Sequence, residues 1–360
     1  MGLVLYLSKH FSTRLNKNRY FTMATINDVA KVAGVSIATV SRVIHNKGKV
    51  GDACRARVKK IIEELDYRPN NNASSLASRT SNTIGVVTPT VSMSFFGSLA
   101  SGVEKGAREN SFKLLMANSL YETESELNAI ESLRANNCKA IILHSEYSDE
   151  KTLIKLAGEI PGLVLINRYI PEIANRCVWL DNLSGAQVAT KHLLNTGHKN
   201  FAVVTSIYQN RDPGSRVEGI KSTLEKNHLK LPVNNIEEAS ANIEGGELAV
   251  KALLAKGCQF DALLAYNDLM AIGAIHALFD AGLRVPEDVS VIGFDDLSIG
   301  IACRPRLTTM HYPIEEMALY ATNLAIKLSE PDAKPSKQTH LFIADLVERD
   351  SVKEKNYENQ

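Results

Sequence analysis

The chain has 360 residues, of which 44% are hydrophobic and 22% charged, a composition typical of a globular protein of two or three domains. No apolar run approaches the roughly 18 residues of a membrane-spanning helix, which excludes a transmembrane protein. The formal net charge is only +1, but residues 1–79 hold 14 Lys and Arg against 5 Asp and Glu, whereas the rest holds 27 against 35. A basic segment joined to an acidic body predicts a head that binds nucleic acid on a regulatory or assembly domain.

Cysteine usage and the start of the chain bear on where the protein works. The five cysteines are odd in number and widely spaced, which predicts neither a disulfide framework nor a zinc site and fits a reducing cytoplasm. The apolar stretch at residues 3–7 is too short for an export signal, and the positive charges follow it. Residues 1–23 carry four basic side chains and no acidic one. We therefore expect a disordered basic tail, or the product of a start that is not the natural one.

Two short helices are predicted after this tail. Thr25 and Asp28 have the spacing of an N-terminal cap, and Gly34 ends the first helix. Ser36 can cap the second helix after a tight turn. The apolar residues have the helical spacing of three and four, and they are Ile26, Val29, Ala30 and Ala33 in the first helix and Val40, Val43 and Ile44 in the second. Two helices joined by a glycine turn form a helix-turn-helix.

The second helix of such a unit lies in the major groove of DNA, with its N-terminal residues nearest the bases. The residues at these positions are Ile37, Ala38, Ser41 and Arg42. Arg42 can donate two hydrogen bonds to one guanine. A third helix is predicted, with Val58, Ile61, Ile62 and Leu65 inward and Arg55, Arg57, Lys59 and Lys60 outward. A helix-turn-helix used only for protein contacts is the alternative, and the basic charge disfavours it.

The segments TINDVAKVAGVSIATVSRVI and YRPNNNASSLASRTSNTIGVV resemble the lactose/galactose repressor family of bacterial transcription regulators. The resemblance implies a helix-turn-helix domain at residues 24–69 and a hinge at residues 70–79 that becomes helical only on DNA. It places Leu76 as a wedge in the minor groove. The DNA-binding residues that it implies are Thr25, Ile37, Ala38, Thr39, Ser41, Arg42, Asn46, Tyr67, Asn70, Ala73, Leu76 and Ala77. Gly51 and Asp52 depart from the serine cap that the family usually has before the third helix.

After Thr83, short β-branched runs alternate with helical stretches, a pattern typical of parallel sheets covered on both faces. The runs are IGVV, KLLMA, AIILH, LVLIN, FAVVT, ALLA and VSVIGF, and helices are predicted at residues 125–136, 185–196 and 269–281. The resemblance implies an α/β receptor core at residues 80–350, made of two doubly wound parallel-sheet lobes like those of periplasmic sugar-binding proteins. It is joined to the all-α head and followed by a polar tail at residues 351–360.

Ligand sites in open α/β sheets lie beyond the carboxyl ends of the strands, where this sequence places several polar residues. Carboxylates, amides and a guanidinium can each grip two neighbouring hydroxyls of a sugar, and aromatic rings can cover its apolar face. Candidate rings are Phe95, Phe96, Trp179, Tyr266, Phe294 and Tyr312, of which Trp179 and Phe294 fit core packing best. The resemblance implies effector contacts from Phe95, Asn167, Arg168, Arg216, Asn267, Asp295 and Tyr312.

The stretches PGLVLINRYIPEIANRC and RPRLTTMHYPI, with Ile37 and Ala38, resemble the galactose-repressor branch of the family. Galactose or a related hexose is then the expected inducer, with a purine as the alternative effector. The resemblance implies a homodimer, with a higher oligomer left open, that represses sugar genes and leaves its operator when sugar binds. We expect it to be cytoplasmic and associated with the nucleoid.

Other classes of protein predict features that this sequence lacks. A transported sugar receptor without a DNA role predicts an export signal and a neutral N-terminus. A sugar-processing enzyme is disfavoured, because no GxSxG elbow, Walker loop or HExxH occurs. Asp268, Asp295 and Asp296 follow two separate strands without a histidine cluster, so we expect ligand hydrogen bonding and neither a metal nor another cofactor.

Overall fold

A computed structural model describes residues 24–46, 48–68, 82–208, 211–333 and 339–355. The chain divides into two units, Met1–Thr80 and Ser81–Gln360. The predicted tail at residues 1–23 and hinge at residues 70–79 lie outside the described residues. The same holds for four of the DNA-binding candidates, Asn70, Ala73, Leu76 and Ala77.

The first unit contains the predicted helix-turn-helix. Its helices are α1 (Ile26–Ala33), α2 (Ile37–Ile44) and α3 (Asp52–Glu64). Thr25 and Asp28 cap α1 reciprocally, since each side chain accepts a hydrogen bond from the other residue's backbone amide. Gly34 then reverses the chain at a φ of +65°, a conformation that favours glycine. The three helices bury one apolar cluster, formed by Val29, Ala30, Ala33, Val40, Val43, Val58 and Ile61.

The first lobe of the second unit is a six-stranded parallel sheet. Its strands are β1 (Thr83–Thr88), β2 (Lys113–Asn118), β3 (Ala140–Leu143), β4 (Leu163–Ile166), β5 (Cys177–Leu180) and β11 (His340–Phe342), in the order β2-β1-β3-β4-β5-β11. Its helices are α4 (Ser94–Glu109), α5 (Thr123–Ala135), α6 (Glu150–Glu159) and α12 (Ile314–Leu328), with a short 3-10 helix at Pro171–Arg176. Helices α4 and α12 approach closely at Gly102, where a Cβ atom would lie 2.2 Å from the Glu315 carbonyl oxygen.

The second lobe is built in the same way from the following part of the chain. Its strands are β6 (Phe201–Ser206), β7 (Ile236–Ala239), β8 (Ala262–Ala265), β9 (Ser290–Asp295), β10 (Thr308–His311) and β12 (Asp345–Val347), in the order β7-β6-β8-β9-β10-β12. Its helices are α7 (Asn182–Asn195), α8 (Arg211–Lys226), α9 (Ile243–Ala255), α10 (Asp268–Asp280) and α11 (Ser298–Ala302), with a 3-10 helix at Val233–Asn235. One strand that the sequence pattern did not predict, β12, pairs antiparallel with β10 at the edge of this otherwise parallel sheet.

The predicted α/β lobes are thus confirmed, and the three predicted helices differ only at their ends. Each begins one to three residues earlier than the apolar pattern indicated, and in α7 and α10 a polar side chain caps the added first turn. Asp181 accepts from the Ser184 amide at the start of α7, and Asn267 accepts from the Met270 amide at the start of α10.

The chain crosses between the lobes three times, after β5, after β10 and after β11. Tyr312 lies at the second crossing and is buried in a core cluster that includes residues of both sheets. Among the described residues, no helix is long and apolar enough to cross a membrane.

Candidate functional site

The predicted base-reading residues share one face of α2. Ile37, Ala38 and Arg42 are exposed, and Thr39 and Ser41 are half-buried. Ile37 is 49% exposed although it is a large apolar residue at the start of the helix. Ser36 caps this end, since its hydroxyl accepts from the Thr39 amide at 3.2 Å. The first turn of α2 is therefore capped and presents the side chains of Ile37 and Ala38 to solvent, and the guanidinium of Arg42 follows in the next turn.

The turn after α2 adds Asn46 to this region. Asn46 has a φ of +50°, and its side-chain oxygen accepts from Nη1 of Arg55 at 2.7 Å. The sequence pattern had placed Arg55 on the outward basic face of α3, but the structure shows it half-buried and bonded to Asn46. The other basic residues of that face, Arg57, Lys59 and Lys60, are exposed.

The remaining candidates of the head occupy its two ends. Thr25 is exposed at the start of α1. Tyr67 is half-buried against the apolar cluster of the head, so part of its ring is committed to packing. Gly51 provides no side-chain cap for α3, yet the helix begins directly after it at Asp52.

In the second unit, six of the seven predicted effector residues line a single cavity between the lobes. They are Phe95, Asn167, Arg216, Asn267, Asp295 and Tyr312. Asn167 follows β4, Asn267 follows β8 and Asp295 ends β9, so the carboxyl ends of strands from both sheets converge there. The cavity volume is about 40 Å³, far below the roughly 300–1,000 Å³ of typical ligand pockets. The lobes therefore meet through their own side chains in this conformation.

A chain of hydrogen bonds runs through the cleft. Asn167 donates to Oδ2 of Asp212 at 2.7 Å, and Asn182 donates to the other oxygen, Oδ1, at 3.0 Å. Nε of Arg216 donates to the side-chain oxygen of Asn182 at 2.8 Å. The Tyr312 hydroxyl donates to the Asn167 side-chain oxygen. Because Asn167 belongs to the first lobe and Asp212 to the second, this network joins the two lobes.

Two further contacts join the lobes. Nη2 of Arg211 donates to Oε1 of Glu150 at 3.0 Å, which links the start of α8 to the start of α6. The rings of Tyr121 and Tyr208 stack at a centroid distance of 5.9 Å. Together with the hydrogen-bond network, these contacts hold the cleft narrow.

The guanidinium of Arg216 also has a fixed aromatic environment. Its central carbon lies 3.6 Å from the centroid of the Phe294 ring and 4.5 Å from that of Tyr266. Phe294 is buried and does not line the cavity, so it acts as packing beneath Arg216. Of the other candidate rings, Phe96 and Tyr266 line the cavity with Phe95 and Tyr312, whereas Trp179 does not and instead donates to the Thr339 hydroxyl at 3.1 Å.

Arg168 departs from the predicted set. It does not line the cavity, although it directly follows Asn167 in the chain. Its Nη1 lies 3.4 Å from the Ser145 carbonyl oxygen and 3.5 Å from the Ser145 hydroxyl. Of these two neighbours, only Asn167 reaches the cavity, and Arg168 lies in the loops of the first lobe.

The sequence pattern missed five residues that line the cavity, namely Met93, His144, Glu146, Tyr208 and Asp212. His144 and Glu146 follow β3, where the rule that selected Asn167 after β4 applies equally. Asp212 precedes Arg216 by four residues on α8, the spacing that brings two side chains to one face of a helix. The signal for Asp212 was therefore present in the sequence.

Carboxyl groups dominate the electrostatics of the cleft. Burial raises the pKa of Glu146 to about 8, with a further contribution from Asp212 and Glu126. Burial also raises the pKa of Asp212, and it raises that of Asp295 well above its ordinary value, while Arg216 opposes both shifts. A site of this composition disfavours an additional negative charge and suits a neutral ligand that donates hydrogen bonds.

Two buried polar atoms in the cavity wall have no hydrogen-bond partner among the described residues. They are Nδ1 of His144 and Oε2 of Glu146. Burial lowers the pKa of His144 to about 4, so the ring is neutral near pH 7. A neutral imidazole and a carboxyl group can each exchange a hydrogen bond with a hydroxyl group of a ligand.

Asp268, one of the acidic residues that follow the strands, is bonded within the protein. In the described part of the chain, no group of three or more His, Cys, Asp or Glu residues is placed to hold a metal ion. Asp268 instead accepts from the Leu297 amide at 2.6 Å and from the Thr309 hydroxyl at 2.5 Å. Its carboxylate is therefore structural.

The exposed face of α2 that carries Ile37, Ala38 and Arg42 is the recognition face of a helix-turn-helix. The same chain contains a two-lobed cleft lined by carboxylates and amides, and the two features together define a ligand-responsive transcription regulator. Residues 25–70 match the bacterial regulatory proteins of the lacI family, and residues 190–352 match the periplasmic binding protein-like domain. The chain is 43% identical over 330 residues to the HTH-type transcriptional regulator GalS of Salmonella typhimurium, which covers 92% of this chain and 97% of that protein. The chain belongs to the lacI family of bacterial regulatory proteins.

Two further comparisons agree with this membership. The HTH-type transcriptional regulator GalR of Escherichia coli is 40% identical over 330 residues, covering 92% of this chain and 96% of that protein. The crystal structure of the lac repressor dimer bound to operator and the anti-inducer ONPF aligns with a TM-score of 0.82 at 24% identity, covering 92% of this chain and 99% of that one, and shows the shared fold. The relatives are transcription regulators, and so the chain is a regulator and not an enzyme.

Proposed function

We propose that the protein is a homodimeric repressor of genes for sugar uptake or catabolism, and that galactose or a related hexose releases it from its operator. The observation that carries this proposal is the cleft, where Asn167, Arg216, Asn267 and Asp295 converge beside the rings of Phe95 and Tyr312. Amide, carboxylate and guanidinium groups can each bind two adjacent hydroxyls, and a ring can pack on the apolar face of a pyranose. We propose galactose or a related hexose among the possible sugars because the sequence resembles the galactose-repressor branch.

We assign the steps of this proposed function to the domains predicted from the sequence. Residues 24–69 read the operator in the major groove, and residues 70–79 form a hinge in which Leu76 enters the minor groove. Residues 80–350 bind the effector and the second subunit. A two-fold dimer suits the two halves of a pseudo-palindromic operator, and such a protein acts on the nucleoid in the cytoplasm.

Induction follows from competition for the side chains of the cleft. Asn167, Asp212 and Arg216 are bonded to each other or to protein neighbours in this conformation. A sugar must part these contacts to enter, and the lobes then close on the sugar in a different arrangement. By linkage, operator DNA must weaken sugar binding by the same factor, typically 1–3 kcal/mol of coupling.

Calorimetry and band-shift titrations with the full-length protein test the proposal. The operator is first selected from random duplexes that the protein retains. Galactose, glucose and hypoxanthine are then titrated against the protein alone and against its operator complex. We expect galactose to bind and to weaken operator affinity by about 5- to 150-fold, the range that this coupling implies. Binding of hypoxanthine in place of a hexose would reassign the effector to the purines, and no effect of any hexose on operator affinity would overturn the proposal.

A further inference from the structure

We propose that Arg349, acting through Asp296, is a positioning residue that fixes Asp295 in the effector cleft. The inference rests on the proposed function, because Asp295 is there a contact of the sugar. Arg349 lies in the segment after β12, far along the chain from the strands whose ends form the cavity. It does not itself line the cavity.

The backbone at the end of β9 needs such support. Asp295 has a φ of +109° and Asp296 a φ of +57°, so two consecutive residues other than glycine adopt a left-handed conformation. Residues of this kind are strained and persist only where the surrounding structure holds them. The strained turn leaves the Asp295 side chain in the cavity wall and the Asp296 side chain outside it.

Arg349 and His311 hold the Asp296 carboxylate from two sides. Nη2 of Arg349 lies 2.5 Å from Oδ1 of Asp296, and Nδ1 of His311 lies 3.0 Å from Oδ2. The Arg349 side chain is 13% exposed and that of Asp296 is 18% exposed, so solvent screens this pair only weakly. The ion pair therefore anchors the residue next to Asp295 to the last segment of the lobe.

Arg349 is itself held in place by β10 and the loop before it. Its Nη1 donates to the Leu307 carbonyl oxygen at 2.8 Å, and its backbone amide donates to the Thr308 hydroxyl at 2.9 Å. A guanidinium with both ends bonded in this way sets the position of the carboxylate that it grips.

The residue after Asp296 is anchored separately. The Leu297 amide donates to Asp268, whose carboxylate packs directly on β9 at Gly293. A Cβ atom at Gly293 would lie only 2.3 Å from Oδ1 of Asp268, so only glycine allows this approach. The turn is thus held at Asp296 by Arg349 and His311, and at Leu297 by Asp268.

A neighbouring ion pair provides a matched control. Arg306 donates to both carboxylate oxygens of Asp350 at 2.6 and 3.0 Å. Asp350 directly follows Arg349 in the chain. This pair is about half exposed, and its two side-chain hydrogen bonds join Arg306 only to Asp350. Loss of the Arg306 pair reports on general loosening of the segment, whereas loss of the Arg349 pair also frees the turn.

The first test measures the galactose Kd of the full-length protein by calorimetry. We expect Arg349→Gln to weaken galactose binding at least tenfold, and Arg306→Gln to change it less than twofold. In an Asp295→Asn background, where the sugar contact is already impaired, Arg349→Gln should weaken binding by less than threefold more. An equal loss in both backgrounds, or no loss with Asp295 intact, would overturn the positioning role.

The second test needs no ligand and separates the two proposals. Hydrogen exchange of the peptide that spans residues 290–297 should become at least fivefold faster in Arg349→Gln and stay unchanged in Arg306→Gln. Arg349→Lys keeps the charge, so its exchange should lie between that of the wild type and that of Arg349→Gln. If Arg349→Gln does not fold, Arg349→Lys replaces it in this comparison. If the wild type binds no galactose but the two variants show this difference in exchange, the sugar assignment alone is overturned. If exchange in Arg349→Gln equals that of the wild type, the positioning role of Arg349 is overturned.

Discussion

The side-chain amide of Asn167 donates a hydrogen bond to the carboxylate of Asp212 across the cleft, with 2.7 Å between Nδ2 and Oδ2. Asn167 follows a strand of the first lobe, and Asp212 lies in the first turn of a helix of the second. The Tyr312 hydroxyl bonds the amide oxygen of Asn167 and thereby fixes which end of the amide faces Asp212. The distance between these two side chains therefore depends on the separation of the lobes.

A double-mutant cycle on this pair measures that link. We expect Asn167→Ala and Asp212→Ala each to change the galactose affinity, with a coupling of about 0.5–3 kcal/mol between them, because both act on one hydrogen bond to a carboxylate. Calorimetry on the two single variants and the double variant provides the values. Asn235→Ala serves as control, since its amide bonds the Phe201 carbonyl oxygen at 2.9 Å and it is not a cavity residue. Strictly additive effects would show that Asn167 and Asp212 act independently.

Removal of the Asp295 carboxylate should separate induction from DNA binding. Asp295 lines the cavity in the second unit, and the recognition face lies in the first unit. We expect Asp295→Ala to bind the selected operator as tightly as the wild type and to stay bound when galactose is added. Band shifts with and without galactose measure both properties. Release of the variant at the same galactose concentration as the wild type would remove Asp295 from the effector site.

The carboxyl group of Glu146 predicts a pH dependence of stability. Its pKa is about 8 in the folded protein against roughly 4.3 in an unfolded chain. Between these values the folded state keeps a proton that the unfolded state has lost, so the free energy of unfolding falls as pH rises, by at most about 1.4 kcal/mol per pH unit. Glu146→Gln removes this contribution. We expect the variant to gain stability relative to the wild type as pH increases from 5 to 8.

Chemical denaturation at pH 5, 6.5 and 8 checks the Glu146 prediction. The matched control is Glu124→Gln, which removes an exposed carboxylate from α5. A stability difference between Glu146→Gln and the wild type that is the same at all three pH values would contradict the raised pKa.

The sequence patterns predicted best what is determined locally. The helix-turn-helix depends on neighbouring residues such as Thr25, Asp28 and Gly34, and all three act in the structure as their spacing indicates. Asn167, Asn267 and Asp295 were found because strand ends converge at one edge of a parallel sheet. The choice of Asn167 over its neighbour Arg168 required the tertiary structure.

Contacts between distant segments left no pattern in the sequence. Asp296 and Arg349 are 53 residues apart, and β12 is three residues long with no periodicity to indicate its antiparallel pairing. His144 and Glu146 did have a signal in the sequence, because they follow a strand as Asn167 does. Their role depends on burial, which composition alone does not reveal.

An exposed aromatic residue on α10 predicts where subunits meet. Phe279 is 77% exposed beside a groove of about 530 Å³, whose lining includes Asp280 and Arg304. Opposite charges on one surface are brought together when a two-fold axis places that surface against itself, so a second copy of the chain is the expected occupant. We expect Phe279→Ser to shift sedimentation from dimer towards monomer at micromolar concentration. Val233→Ser, an equally exposed apolar position of the same lobe, should leave the dimer intact. Equal sedimentation of the two variants would place the dimer interface elsewhere.

The exposed guanidinium of Arg42 should discriminate one base pair of the operator. It stands on the recognition face with Ile37 and Ala38, and a bidentate contact to guanine contributes about 1–3 kcal/mol of discrimination. Arg42→Ala should therefore bind the selected operator more weakly and tolerate every base at one position of each half-site. Lys59→Ala, which removes an exposed charge from α3, should instead weaken all duplexes alike or change nothing. Fluorescence anisotropy on the operator, its single-base variants and a random duplex at one fixed salt concentration distinguishes the two patterns. Losses for Arg42→Ala that are equal on the operator and on random DNA would show that this side chain contacts phosphate, and base reading would then rest on Ile37 and Ala38.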